Sequence, residues 1–175
     1  MPFNMSEKYI RLLLKDLTAR LSYGVKGRIL VDYVVPHRYD IEGFPVESTF
    51  DAIVELCGIN TDTEEISVKG PEDNEELADY IEECQSDEPW TILDFKPFLR
   101  PMSSMTAEEK AEINAIISEF GDKWLDSEDN KDKWSATFWQ CSEITDYLNS
   151  IHIDHRGLIG KGLAIEVVEE NNPYI

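Results

Sequence analysis

Apolar residues recur at helical spacing near the start of the chain. Ile10, Leu13, Leu14, Leu17 and Leu21 fall three or four apart and predict one amphipathic helix. Ser6 is its N-cap, Lys8, Arg11, Lys15 and Arg20 fall on the other faces, and Gly24 is its stop. Residues 25–35, rich in Val, Ile, Leu and Tyr, predict a strand that Pro36 ends. Residues 36–47 hold Pro36, Gly43 and Pro45 and read as a loop. From Phe50 to Cys57 the period changes to two: Phe50, Ala52, Val54 and Leu56 alternate with a partly polar set. That strand and a short one at 65–69 are close enough for a hairpin turned near 58–63.

After the Gly70-Pro71 break the helical spacing returns. Leu77, Tyr80, Ile81 and Cys84 form an apolar stripe, and Asp73 with Glu76 stand at capping-box spacing. Residues 90–95 predict another strand, and Pro97 and Pro101 keep 96–102 extended. Thr106 and Glu109 make a second capping box, Ile113, Ile116, Ile117 and Phe120 line one side, and Gly121 closes that helix. Residues 122–133 read as an irregular polar segment, 142–151 as a last helix, and 163–168 as a short closing strand. Residues 171–175 are expected to fray. The sum is an α+β fold: a small, mostly antiparallel sheet with strands within about 25–95, packed with an N-terminal helix and C-terminal helices. Residues 1–175 read as one domain. A subdivision would set a β-rich part at 1–102, with an acidic insert at 58–88, beside a helical part at 103–175.

Charge changes the picture more than composition does. The 175 residues carry 16 basic and 36 acidic side chains, a net charge of −20. A chain this acidic is repelled by phosphate backbones, which argues against nucleic-acid binding, and by anionic lipid surfaces. No apolar run reaches the roughly 18 residues of a membrane span, and no targeting pattern opens the chain. Three scattered cysteines, Cys57, Cys84 and Cys141, fit reduced thiols in a cytoplasm, with Cys84 packed on its helical stripe. The acidity is concentrated: residues 62–88 hold twelve carboxylates and only Lys69 to oppose them. Such a block is either a solvated face or a surface whose field steers a basic partner.

Three groups of residues carry candidate chemistry. His152, Asp154 and His155, with Arg156 beside them, form the one concentrated set of metal-ligating or acid–base groups. Two histidines three apart share a face only if the last helix continues through them; otherwise they end it, near exposed carbonyls. Gly157, Gly160 and Gly162 with Lys161 are spaced for a turn rather than for a phosphate-binding fingerprint. Trp124, Trp134, Phe138 and Trp139 either pin a loop to the core or anchor an interface. No cofactor motif is present.

Lys96-Pro97-Phe98-Leu99-Arg100-Pro101-Met102-Ser103-Ser104-Met105-Thr106 is a distinctive stretch, as is Tyr147-Leu148-Asn149 through Asp154-His155-Arg156-Gly157-Leu158-Ile159 to Lys161-Gly162-Leu163-Ala164. With Lys15-Asp16-Leu17 through Tyr23-Gly24-Val25, the chain resembles small uncharacterised acidic proteins of gut Bacteroidales genomes and their phages or prophages. The resemblance implies an intracellular bacterial or phage setting and carries over no catalytic residue. Two functions follow as expectations. The first is a non-enzymatic interaction protein presenting Glu72, Glu75, Glu76, Glu82 and Glu83, with Trp134 or Trp139, to a basic protein surface. The alternative is a small metal-binding or hydrolytic enzyme centred on His152, Asp154 and His155.

Overall fold

The computed structural model describes residues 7–39, 41, 45–126 and 130–175. Helix α1 (Glu7–Arg20) sets Leu13 and Leu17 against the sheet, fully buried, each stabilising by about 1.5–3 kcal/mol. One 3-10 turn, Leu21–Tyr23, leads through Gly24 into strand β1 (Lys26–Tyr39). Ser6 lies outside the described residues. Strand β2 (Pro45–Ile59) returns antiparallel to β1, pairing Ile29 with Ala52 and Val31 with Phe50. Strand β3 (Ile66–Lys69) pairs with β2 across a turn in which the Asn60 side-chain oxygen accepts from the amides of Asp62 and Thr63. Helix α2 (Glu75–Asp87) follows, then strand β4 (Lys96–Leu99), helix α3 (Ala107–Asp126), helix α4 (Asn130–Ser150) and a two-residue strand β5 (Ile165–Glu166). The sheet order is β3-β2-β1-β4-β5, antiparallel except for the β4–β5 pair. The fold is α+β, as expected from the sequence.

The main core lies between the sheet and the apolar faces of α1 and α2. It joins Leu13 and Leu17 to Ile29, Val54, Leu56, Val68, Ile81, Ile92 and Phe95, and takes in Leu158 and Leu163 from the C-terminal segment. Gly27 is required there, because a Cβ would stand 2.2 Å from the Phe95 ring. A smaller cluster of Met105, Leu148 and Ile153, with Ile113, Ile144 and Ile151 against it, joins the base of the α3–α4 hairpin. No helix among the described residues is long and apolar enough to cross a membrane.

Several elements differ from their sequence signals. Pro36 does not end β1, which runs to Tyr39. The β1–β2 register shifts between Val34 and Tyr39, and β4 accompanies only Gly27 and Arg28, so the missing proline N–H costs no ladder bond. Residues 90–95 form a turn rather than a strand. The Asp94 carboxylate accepts from both the Thr91 amide and the Thr91 hydroxyl at 2.8 Å and closes it locally. The fourth strand falls instead on 96–99, within the segment expected to be merely extended.

The cap of α2 is Asn74, whose side chain accepts from the Leu77 amide, rather than Asp73. The Thr106–Glu109 capping box forms in both directions, at 2.8 and 3.2 Å. Gly121 lies inside α3, and α4 begins at Asn130, so helix occupies most of 122–133. A glycine inside a helix costs only about 1 kcal/mol, which the packing of an antiparallel neighbour offsets. Nor does the C-terminus fray entirely: Tyr174 accepts from the Lys26 amide and donates to the Phe98 carbonyl at 2.9 Å. Burial pushes that hydroxyl up to about 12.

Candidate functional site

Two regions concentrate charge, one buried and one exposed. The buried one begins on α1, where Leu13, Asp16, Leu17 and Arg20 fall at i, i+3, i+4 and i+7 on a single inward face. Arg20, placed by the sequence pattern on a polar face, is fully buried beside Asp16. Its Nε donates to Asp16 Oδ2 at 2.7 Å and its Nη2 to Asp16 Oδ1 at 3.2 Å. The guanidinium also donates to the Ile153 carbonyl at 2.8 Å and to the Asn149 carbonyl at 3.5 Å. The end of α4 and the turn beyond it thus dock on the N-terminal helix through one arginine. Arg156 brings a second guanidinium, with Nη1 3.5 Å from Asp16 Oδ1 and its side chain 14% exposed.

The residues singled out as a metal or acid–base set join this region in separate roles. Helix α4 stops at Ser150 and His152 adopts a left-handed backbone, φ 58°, so the two histidines do not share a helical face. His152 stacks on the Tyr174 ring with centroids 4.0 Å apart. Burial, then the charges of Arg20 and Arg100, push its pKa down to about 4. His155 sets Nδ1 3.4 Å from Arg20 Nη2 and 3.3 Å from the Ile153 carbonyl. Its pKa is also lowered, mainly by burial and then by Arg156 and Arg20, against the hydrogen bond to Ile153 and the charge of Asp16.

Asp154 spends both carboxylate oxygens on its own turn, accepting from the Leu158 amide at 2.8 Å and the Ile159 amide at 2.9 Å. Lys161 closes the same turn through the carbonyls of Arg156 and Gly157. The glycine-rich segment is therefore a turn built around an internal carboxylate. Among the described residues, no three His, Cys, Asp or Glu side chains are gathered to hold a metal ion.

The exposed region is a groove of about 620 Å³ between α2 and the outer side of β3. Its floor is Cys57, Ser67 and Val68, and Glu75, Asp79 and Glu82, at i, i+4 and i+7, form one wall. Gly70 lets α2 approach this closely, since a Cβ there would stand 2.5 Å from the Ala78 Cα. Lys69 and Glu72 pair across the entrance at 2.7 Å. The groove thus gathers Glu72, Glu75 and Glu82 from the predicted acidic set, adds Asp79, and leaves the exposed Glu76 and Glu83 outside its lining. Asp79 was legible as the i+4 neighbour of Glu75.

The edge of β3 is closed by its own chain, with the Val68 amide donating to the Gln85 side chain and the Ile66 amide to the Trp90 carbonyl. Trp134 and Trp139 lie in the first half of α4, with side chains outside the described residues. Cys57 and Cys141 are exposed and Cys84 is half-buried; all three are free thiols. Neither a family model, nor a curated protein, nor a solved structure matches this chain.

Proposed function

We propose that the protein is a non-enzymatic interaction protein that receives a basic segment of a partner protein in the groove between α2 and β3. The observation that carries this reading is the groove wall itself. Four carboxylates, Glu72, Glu75, Asp79 and Glu82, share one concave surface, and Lys69 is the single cation among the described residues of its lining. Held side by side in solvent, they raise the local concentration of a cationic partner and set its register. The closed β3 edge favours side-chain recognition over strand addition.

A cytoplasmic phage or bacterial setting, which the sequence resemblance implies, makes the natural target a basic surface that otherwise holds nucleic acid. The acidic groove then competes with a phosphate backbone for the same lysines and arginines.

The test is fluorescence anisotropy with a labelled oligo-lysine peptide at two salt concentrations. The variant Glu72→Gln/Glu75→Gln/Asp79→Asn/Glu82→Gln is compared with Glu76→Gln/Glu83→Gln. Salt-sensitive binding lost in the first and kept in the second supports the groove. Equal weakening in both reduces it to net charge, and retained binding in the first refutes it.

A further inference from the structure

The groove between α2 and β3 does not end at Gln85. A second cavity of about 500 Å³ continues it along β3, and Ser67 and Gln85 line both. Ile59, at the end of β2, and Pro89, just past the end of α2, stand on its walls. From Glu75 to Gln85 the helix rises about 15 Å. An extended chain covers that distance in about five residues, so the next one or two reach the second cavity.

The two cavities differ in charge. The first has Glu72, Glu75, Asp79 and Glu82 in its lining. The second has one carboxylate, Glu65, whose Oε2 already accepts from the Thr63 hydroxyl at 2.8 Å. Two more of its acceptors are engaged in the same way. Asn60 Oδ1 accepts from the amides of Asp62 and Thr63, and Gln85 Oε1 accepts from the Val68 amide at 2.7 Å.

What the second cavity offers is shape and apolar surface: Ile59 is half-buried and Pro89 exposed. Gly58 faces Ser67 across the β2–β3 pair, and a Cβ there would meet only the Ser67 side chain, at 3.4 Å. The missing side chain keeps the floor open. An apolar group gains by leaving water at this end, whereas a lysine gains far less than beside the four carboxylates of the first cavity.

We infer that the groove takes an extended segment of a partner protein in two parts: basic residues beside Glu75, Asp79 and Glu82, and an apolar residue in the cavity between Ile59 and Pro89. This rests on the groove reading proposed above and names the kind of segment the groove selects. The basic part steers the encounter. The apolar part fixes the register, because the carboxylate wall stops at one end of the trough.

The experiment is fluorescence anisotropy of the full chain with three labelled peptides. One has four lysines followed by two leucines, one has the same residues in reverse order, and one has four lysines followed by two serines. One of the leucine peptides is expected to bind about tenfold tighter than the serine peptide. That ratio should hold when salt is raised, while all three peptides weaken together. Gly58→Leu fills the second cavity and should abolish the ratio without weakening the serine peptide. If circular dichroism shows this variant to be misfolded, Pro89→Ser decides: at an exposed position, it should cut the ratio about threefold, and an unchanged ratio overturns the inference. A wild-type ratio near one, a ratio that disappears with salt, or a ratio that survives in a folded Gly58→Leu also overturns it, and serine-peptide binding would then leave the acidic groove standing. A serine peptide that fails to bind the wild type refutes both readings.

Discussion

The Arg20 node and the α2–β3 groove both collect charge, and solvent makes them opposites. In the node, opposite charges are removed from water and locked together: Asp16 and Arg20 are fully buried and bonded at 2.7 Å. In the groove, like charges remain in water, with Lys69 among them. A buried ion pair contributes little net stability when complete, but becomes strongly destabilising when halved. A solvated carboxylate wall contributes almost nothing to folding, yet projects a field outward. The comparison separates what holds the protein together from what it shows to others.

The largest effect should come from halving the node. Arg20→Met leaves Asp16 buried without its main counter-charge and takes a donor from two carbonyls, which costs about 3–5 kcal/mol. Thermal denaturation should show this as a fall of roughly 10 °C in Tm. The double variant Asp16→Leu/Arg20→Met should recover much of the loss, because no charge is stranded. A double variant as unstable as the single would mean that the carbonyl bonds, not the ion pair, carry the junction.

Next in size is the turn that presents the node. Asp154→Ala removes the acceptor for two backbone amides and should cost about 2–4 kcal/mol in urea unfolding. Asp154→Asn keeps one side-chain oxygen and should lose roughly half as much. Equal losses in the two variants would show that the negative charge matters more than the two bonds.

Acid provides a third contrast. His152 and His155 are held neutral in the fold, with pKa values below that of an ordinary histidine. The unfolded chain therefore binds more protons, so stability falls as pH drops below about 6.5, toward about 4 for His152. Chemical denaturation across that window should show the loss. His152→Asn, which tolerates the left-handed backbone at this position, should flatten it. An unchanged slope would assign the acid sensitivity to His155 and the carboxylates.

Periodicity made α1, β2, α2 and the start of α3 legible, since each repeats apolar residues at the spacing of its element, although in α3 Ile113 and Ile116 are only half-buried and Ile117 is exposed. The Thr106–Glu109 box could be read residue by residue. What stayed hidden depends on long-range partners. Asp16 and Arg20 look like an ordinary exposed pair until the Ile153 carbonyl, 133 residues away from Arg20, arrives to receive it. The strand-like composition of 90–95 was outweighed by one local carboxylate, Asp94. Among site residues, the spacing of the histidines was visible but their separation was not, because it follows from one left-handed residue at the end of α4. The acidic wall was mostly legible from composition. Which carboxylates turn inward required the close approach at Gly70 and Ala78.

The smallest expected change is the most telling about the groove. Neutralising Glu72, Glu75, Asp79 and Glu82 removes repulsion without removing any buried contact, so the melting temperature should stay level or rise slightly. Added sodium chloride sharpens the point. In the wild type, salt screens the carboxylate wall and should raise the melting temperature; in the neutralised variant that response should shrink. Within the node, by contrast, salt penetrates little, so Arg20→Met should keep the wild-type salt response while melting far lower. If the neutralised groove melts much earlier instead, its carboxylates are structural. The two regions would then differ in solvent exposure but not in role.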